Sequence, residues 1–315
     1  MSTFNCLVNH YTHHRLSARA KLNLFLAIRG LRPDGFHDLF SLAIQTQLAD
    51  RLDMQWISDG TDQAVDQLFV ESLFLKNGDR IPQDETNIAW RALQAFRSYY
   101  PFEGRIRLQL IKHIPSGAGL GGGSSDAAAV LKGLQHILNY PLSAKELSKL
   151  ATSLGSDVPL FLENQPALLE GRGEIITPLD PSIIRVLDQQ KILIFKPAFS
   201  ISTTWAYQAC RAQAAYLSDM DVQTAYHHFI DSLLNGRPDF FNTFTAVIGI
   251  KYPIIPLLLE ELRHTYGVAA QMSGSGSACF VFLKDNVRVE SIRETIQAAL
   301  GQDVFCVESH LETFV

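Results

Sequence analysis

From Ser17 the chain alternates apolar and polar side chains for about ten residues, "SARAKLNLFLAIRG". Ala20, Leu22, Leu24, Leu26 and Ile28 fall on one face, and Arg19, Lys21, Asn23 and Phe25 on the other. A period of two sends successive side chains to opposite sides of a strand, so this pattern predicts a half-buried strand. "GRIRLQLIKHI" (104–114) alternates again, with Ile106, Leu108 and Leu110 on a face that ends at Lys112. Between them, "DETNIAWRALQAFRSYY" (84–100) has a polar start and helical spacing of Ile88, Leu93 and Phe96. "SSDAAAVLKGLQHILN" predicts a helix capped by Ser124 or Ser125. "LSAKELSKLATSLG" (142–155) predicts another, with a Ser143/Glu146 capping box and Gly155 as its stop.

The pattern restarts near 185–190. "KILIFKP" reads as a buried strand, "IIPLLLEELRHTYG" as a helix stopped by Gly267, and "ACFVFL" and "DVFCVES" as further strands. Strands and helices in both halves predict two α+β domains, residues 17–187 and 188–315, after a polar N-terminal arm over 1–16.

Composition supports this division. A chain of 315 residues, 47% hydrophobic and 19% charged, can bury a full core in about two domains. A net charge of −5 without a Lys/Arg block argues against nucleic-acid or acidic-membrane partners, so a polyanionic ligand must be held by local donors. Cys6, Cys210, Cys279 and Cys306 are scattered without a Cys-x-x-Cys, a reduced-thiol pattern that implies a cytoplasmic location. Apolar runs such as "IIPLLL" are far too short to span a membrane, and the first fifteen residues lack a signal-peptide core. Nothing points to an obligate protein partner. His10, His13 and His14 are read as part of the polar arm, with metal binding as the alternative.

The densest chemistry lies in "IPSGAGLGGGSSDAAA" (114–129), with five glycines between Gly117 and Gly123. Gly117-x-Gly119-x-x-Gly122 matches a dinucleotide fingerprint by letters. The acid in range, Glu146, lies in a helical segment rather than at the end of a second strand, so that reading fails. A Walker A loop fails too, because Gly123 stands where its lysine belongs. What remains is a strand entering a glycine loop that opens a helix. In such a loop, successive N–H groups and the positive helix end converge on phosphate oxygens. Ser124 and Ser125 add hydroxyls for phosphate or Mg²⁺. Asp126, placed in the first helical turn, is either a solvent-facing carboxylate or a group beside a metal ion.

These residues resemble the phosphate loop of the GHMP kinases. Four stretches resemble, more narrowly, the branch that phosphorylates a cytidine-diphosphate-linked methylerythritol in non-mevalonate isoprenoid precursor biosynthesis. They are "ARAKLNLFLAIRGLRPDGFHDL", the glycine loop, "LGSDVPLFL" followed by "EGRGE", and "MSGSGSACFVFL", in the family's order. The resemblance implies a ribosomal-protein-S5-like N-terminal domain, a ferredoxin-like C-terminal domain and an active site between them. It also implies transfer of the γ-phosphoryl of ATP, with Mg²⁺, to the substrate's 2-hydroxyl. Two rivals are another GHMP kinase of a small alcohol, such as homoserine or mevalonate, and a catalytically silent nucleotide-binding paralogue.

By the same resemblance, Asp157 is the catalytic base, against a plain helix-cap reading, and Lys21 is its catalytic partner. Asn23, Phe36, His37, Lys112, Asp157 and Thr203 contact substrate; Phe36 stands where family members often carry Tyr. Lys112 also has a reading as a lysine that snorkels from its strand, and it could meet nucleotide rather than substrate phosphates. ATP is held by Pro115, Ser116, Gly117, Ala118, Gly119, Leu120, Gly121, Gly122, Gly123, Ser124 and Ser125, with Asn87 near the adenine or simply capping its helix. Mg²⁺ arrives with ATP, Ser124 or Asp126 being its candidate protein ligands. Gly274, Ser275 and Gly276 buttress the site. Where the family often reads Asn-Asp-hydrophobic-Glu, this chain keeps Asn242 but has Thr243 and Thr245 for the acids, and Ser156 replaces the usual Ala beside the base.

Overall fold

The structure, a computed structural model, describes residues 10–58, 65–72 and 81–313. The first elements are β1 (His10–Leu31), β2 (His37–Ser58), β3 (Gln67–Ser72), α1 (Ile88–Tyr99), β4 (Arg105–Lys112), α2 (Gly122–Ile137) and α3 (Ala144–Leu154). There follow β5 (Ala167–Gly171), β6 (Ile175–Pro178), α4 (Pro181–Leu187), β7 (Lys191–Lys196), α5 (Thr203–Ala212) and α6 (Asp219–Leu234). The chain ends with β8 (Phe241–Asn242), α7 (Thr243–Ile248), α8 (Ile254–Tyr266), β9 (Ala269–Met272), β10 (Cys279–Phe282), α9 (Val289–Leu300) and β11 (Phe305–Glu312).

Two compact units result, and they are interleaved in sequence. One comprises residues 1–19, 49–114 and 122–162; the other comprises 20–48, 115–121 and 163–315. The expected split into 17–187 and 188–315 therefore does not describe them. The reason is the length of β1 and β2, 22 residues each, which pass from one unit into the other. The expected arm over 1–16 also changes. Residues 1–9 lie outside the described residues, while His10 already begins β1.

In the first unit, β4 runs antiparallel to the second half of β2 and parallel to β3, with Leu52 opposite Leu110 and Leu68 opposite Leu108. Alternate β4 residues, Ile106, Leu108, Leu110 and Lys112, are buried, as the period of two requires. The aliphatic ones join Leu93 and Phe96 of α1 and Val130 and Leu131 of α2 in one core. Helix α3 has the predicted capping box: Ser143 Oγ accepts the Glu146 N–H while a Glu146 carboxylate oxygen accepts the Ser143 N–H.

In the second unit, β11, β7, β10 and β9 form an antiparallel run in that order. Helices α5 to α8 connect β7 to β9, and α9 connects β10 to β11, the split β-α-β arrangement of a ferredoxin-like layer. Its core joins Phe195 and Val281 of the strands to Leu258, Leu262, Ile292 and Ile296 of the helices. Gly267, with φ +61, ends α8 as predicted.

Strand β1 departs from expectation. It is buried on both faces over residues 20–27, not on one. Phe25 on the supposed open face stacks on Phe241 with ring centroids 5.3 Å apart and meets Tyr226 edge-on at 5.4 Å. No helix among the described residues is long and apolar enough to cross a membrane.

Candidate active site

In the second unit, the loop 115–121 is anchored by three successive carbonyls. Ala118 O accepts the Ala278 N–H (3.0 Å), Gly119 O accepts the Ser273 hydroxyl (3.2 Å), and Leu120 O accepts the Lys21 N–H (2.9 Å). Across a planar trans peptide, the N–H of the next residue points opposite to the carbonyl. Anchoring these three oxygens therefore turns the N–H groups of Gly119, Leu120 and Gly121 the other way. Gly119 (φ +76) has no alternative residue: a Cβ there would lie 2.3 Å from Ser273 O.

Lys21, only 6% exposed, is hydrogen-bonded through Nζ to Asn23 Oδ1. Asn23 in turn donates through Nδ2 to Ser41 Oγ (2.8 Å) and through its backbone N–H to Ser273 Oγ (3.3 Å). Gly274 completes this group, because a Cβ on it would stand 3.4 Å from Lys21 Nζ and 3.3 Å from Asn23 Oδ1. The two glycine segments, 115–121 and 273–276, thus converge on the polar face of β1. Thr203 joins them through a 3.0 Å hydrogen bond between its hydroxyl and that of Ser275.

Asn242 carries this second glycine segment, donating from Nδ2 to Met272 O (2.8 Å) and Gly274 O (2.9 Å) while its Oδ1 caps α7. The threonines that replace the family acids have structural partners of their own. Thr243 Oγ1 accepts the Ile28 N–H at 3.3 Å, and Thr245 donates to Gln271 Oε1 at 2.7 Å.

Phe36 and His37 end the turn between β1 and β2. His37 lies between Tyr207 (ring centroids 4.6 Å apart) and Tyr216 (5.9 Å), whose hydroxyl is 3.4 Å from Nε2. Burial, followed by the nearby charge of Arg211, lowers the His37 pKa from its ordinary value. Sequence reasoning missed both tyrosines. Tyr207 lies midway along α5 and Tyr216 in the segment between α5 and α6, and no local pattern marks either.

In the first unit, α2 begins at Gly122, so Ser124 and Ser125 lie inside the helix rather than capping it. The positive φ of Gly121 (+70) lets the chain enter the helix three or four residues earlier than a cap at Ser124 or Ser125 implies. Asp126 consequently falls beyond the first turn, and at 3% exposure it is not solvent-facing. Its Oδ2 accepts from Lys112 Nζ at 2.6 Å, and Lys112 Nζ also bonds the Asp50 carboxylate. Lys112, 4% exposed, is therefore a buried link between two carboxylates and does not snorkel. Burial pulls its pKa down, but the two carboxylates more than reverse this.

Asn87 caps α1, its Oδ1 accepting the Ala89 N–H at 2.9 Å while Nδ2 donates to Pro82 O. Asp157 sits half-buried in the turn before a single 3₁₀ turn, Pro159–Phe161. The cap position of that turn is Val158, without a side-chain capping bond, so the helix-cap reading of Asp157 is not realised. Among the described residues, no three His, Cys, Asp or Glu side chains gather as a metal-binding group.

Residues 87–165 match the family model for the GHMP kinases N terminal domain, and residues 230–302 match the GHMP kinases C terminal model. A 4-diphosphocytidyl-2-C-methyl-D-erythritol kinase of Synechocystis is 34% identical over 304 residues, covering 90% of both chains. The kinase of the same name from Methylacidiphilum infernorum is 35% identical, covering 90% of this chain and 92% of its own. A crystal structure of 4-(cytidine 5'-diphospho)-2C-methyl-D-erythritol kinase superposes with a TM-score of 0.72 at 30% identity, covering 94% of this chain and 99% of that one. A homoserine kinase from Cytophaga hutchinsonii shares the fold alone, at 15% identity and a TM-score of 0.63. The chain belongs to the 4-diphosphocytidyl-2-C-methyl-D-erythritol kinase family, a branch of the GHMP kinases.

Proposed function

We infer that this protein transfers the γ-phosphoryl group of ATP to the 2-hydroxyl of 4-diphosphocytidyl-2-C-methyl-D-erythritol, a step of non-mevalonate isoprenoid precursor synthesis. The observation that carries the phosphate half of this reading is the anchoring of the Ala118, Gly119 and Leu120 carbonyls. It presents three consecutive N–H groups as a nest for phosphate oxygens, fastened directly to the backbone of Lys21.

Phosphoryl transfer asks for positioning, charge neutralisation and a group to receive the hydroxyl proton. The acceptor oxygen bonds to the γ-phosphorus, the bond to the β–γ bridging oxygen breaks, and ADP leaves. Asp157 receives the proton of the hydroxyl. The Lys21 ammonium neutralises charge developing on the transferred group, and its bond to Asn23 fixes its direction. Asn23 and Thr203 contact the polyol. Phe36 and His37, with Tyr207 beside them, hold the cytosine. Asn87 borders the adenine through the helix it caps. Mg²⁺ arriving with ATP would be held with the help of the Ser124 hydroxyl and would supply further charge neutralisation. The unbridged thiols of Cys210, Cys279 and Cys306 support a cytoplasmic location.

The test is ADP release by the purified protein against a panel of acceptors. Turnover is expected with the diphosphocytidyl substrate and not with homoserine or mevalonate. The reverse pattern would sink the substrate assignment.

A further inference from the structure

The segment "EGRGE" (170–174) has no part in the chemistry above, yet it touches the nucleoside end of the site. Antiparallel pairing of β2 with β5 sets Leu39 opposite Gly171 and Phe40 opposite Glu170. This register brings the turn after β5 beside the turn before β2. In the first turn, the Glu174 carboxylate accepts the Arg172 N–H, and Gly173 N–H closes onto Glu170 O at 3.0 Å. In the second, Arg32 N–H donates to Phe36 O at 2.7 Å, and the Arg32 guanidinium holds the Asp34 carboxylate at 3.0–3.2 Å. Glu174 also faces Arg32 at 3.8 Å, so one carboxylate addresses both turns.

The side chain of Arg172 then crosses to Phe36, its guanidinium carbon 3.5 Å from the ring centroid. That is a face-on stack of cation on ring. Phe36 is nevertheless 46% exposed, and among the described residues no other aromatic ring packs against it. Arg172 covers one face of the ring, and nearly half of the residue is left exposed.

We propose that Arg172 is a specificity-determining positioning residue: stacked on one face of Phe36, it holds the ring as a platform whose other face receives the pyrimidine of the substrate. Glu174 sets the turn that aims Arg172, and His37, held between Tyr207 and Tyr216, lies next to the platform. Arg172 thus acts through Phe36 and touches neither the phosphates nor the reacting hydroxyl. The proposal rests on the cytidine-linked substrate inferred above.

A double-mutant cycle on Arg172→Ala and Phe36→Ala tests it, with ADP release measured against the diphosphocytidyl substrate and CDP binding measured by calorimetry. An exposed cation–π contact corresponds to a several-fold effect, so Arg172→Ala is expected to raise the substrate KM and the CDP Kd about fivefold. Its kcat and its KM for ATP should stay at wild-type values, and Arg172→Lys should recover part of the loss. In the Phe36→Ala background, Arg172→Ala should add nothing. An unchanged KM in Arg172→Ala overturns the proposal. So does a loss of the same size without Phe36, which would make Arg172 a direct phosphate contact. Wild-type protein that binds CDP but fails to phosphorylate the substrate would refute the reaction while the CDP arm still supports the platform. Wild-type protein that binds no CDP refutes both.

Discussion

Lys112 donates to one oxygen of Asp50, and the other oxygen of Asp50 accepts the backbone N–H groups of His113 and Ile114, the latter at 2.8 Å. Those are the last two residues before the glycine loop begins at Pro115. The lysine therefore ties β2 and β4 to α2 at the loop's entrance, through Asp126. Lys112→Met would leave two carboxylates facing each other in the interior, and Asp50→Ala would strip a lysine and two amides of their acceptor. Each is expected to cost about 3–5 kcal/mol in urea unfolding. Asp126→Asn should cost less than either, because the amide keeps an oxygen of the same shape that accepts from Lys112. Burial, opposed by Lys112 and reinforced by Asp50, pushes the Asp126 carboxyl well above its ordinary range. A carboxyl raised in this way contributes most stability below the ordinary carboxylate pKa, and the contribution declines as pH climbs towards its elevated value. The Asn variant should lack that decline. Equal losses for Asp126→Asn and Asp50→Ala would contradict the assignment.

The close approach of Gly119 to Ser273 gives a second test. Gly119→Ala adds a Cβ 2.3 Å from Ser273 O, whereas at Gly236 (φ +71) a Cβ meets nothing within 4 Å. Gly236→Ala should show only the left-handed backbone penalty, roughly 1–2 kcal/mol. Gly119→Ala must also displace the loop, so its loss should be larger. Its kcat/KM for ATP should fall on the order of tenfold to a hundredfold, as small misplacements of a binding frame do. Equilibrium unfolding and steady-state kinetics on the pair of variants check both statements.

Asn keeps the shape of Asp157 and a hydrogen-bonding group in its place, so Asp157→Asn should cost little stability, about 1 kcal/mol or less. Loss of a general base should lower kcat roughly 10²–10⁴-fold, with ATP affinity retained. Thermal melting, calorimetric titration with ATP and turnover on the same preparation separate the two. Normal turnover would remove Asp157 from the chemistry.

His37 predicts the pH response of substrate binding. With its pKa held down by burial and then by Arg211, the ring keeps its neutral form to lower pH than an ordinary histidine does. The KM for the cytidine-linked substrate should rise on acidification, with a midpoint below that of an ordinary histidine. The unfolded chain takes up that proton first, so acidification also withdraws stability as pH falls through the ordinary histidine pKa. His37→Gln should flatten both dependences.

Strands and helices with a clean period were legible in the sequence: β4, α1, α3 and α8 lie where alternation, capping boxes and stop glycines put them. Strand β2 was not, because its 22 residues mix faces buried by different neighbours along their length. The polar face of β1 was misjudged for a related reason. Lys21, Asn23 and Phe25 look like an exposed face until Ser41, Ser273 and the Phe241 ring supply partners from distant parts of the chain. The glycine loop could be read because its physics is local. Tyr207, Arg172 and Asp50 could not, because each has its meaning only against a residue 60 or more positions away.

The five crossings of the chain between its units, at 19/20, 48/49, 114/115, 121/122 and 162/163, bear on how the molecule can be cut. No single break in the backbone yields two fragments that each own a whole unit. A fragment starting at residue 188 lacks the 20–48 segment and β5, so it cannot complete the second unit. Expressed alone, the two halves should be insoluble or unfolded, and co-expressed they should recover activity only by reassembling together. The glycine loop itself, seven residues of one unit set between two stretches of the other, ties phosphate binding to the folding of both.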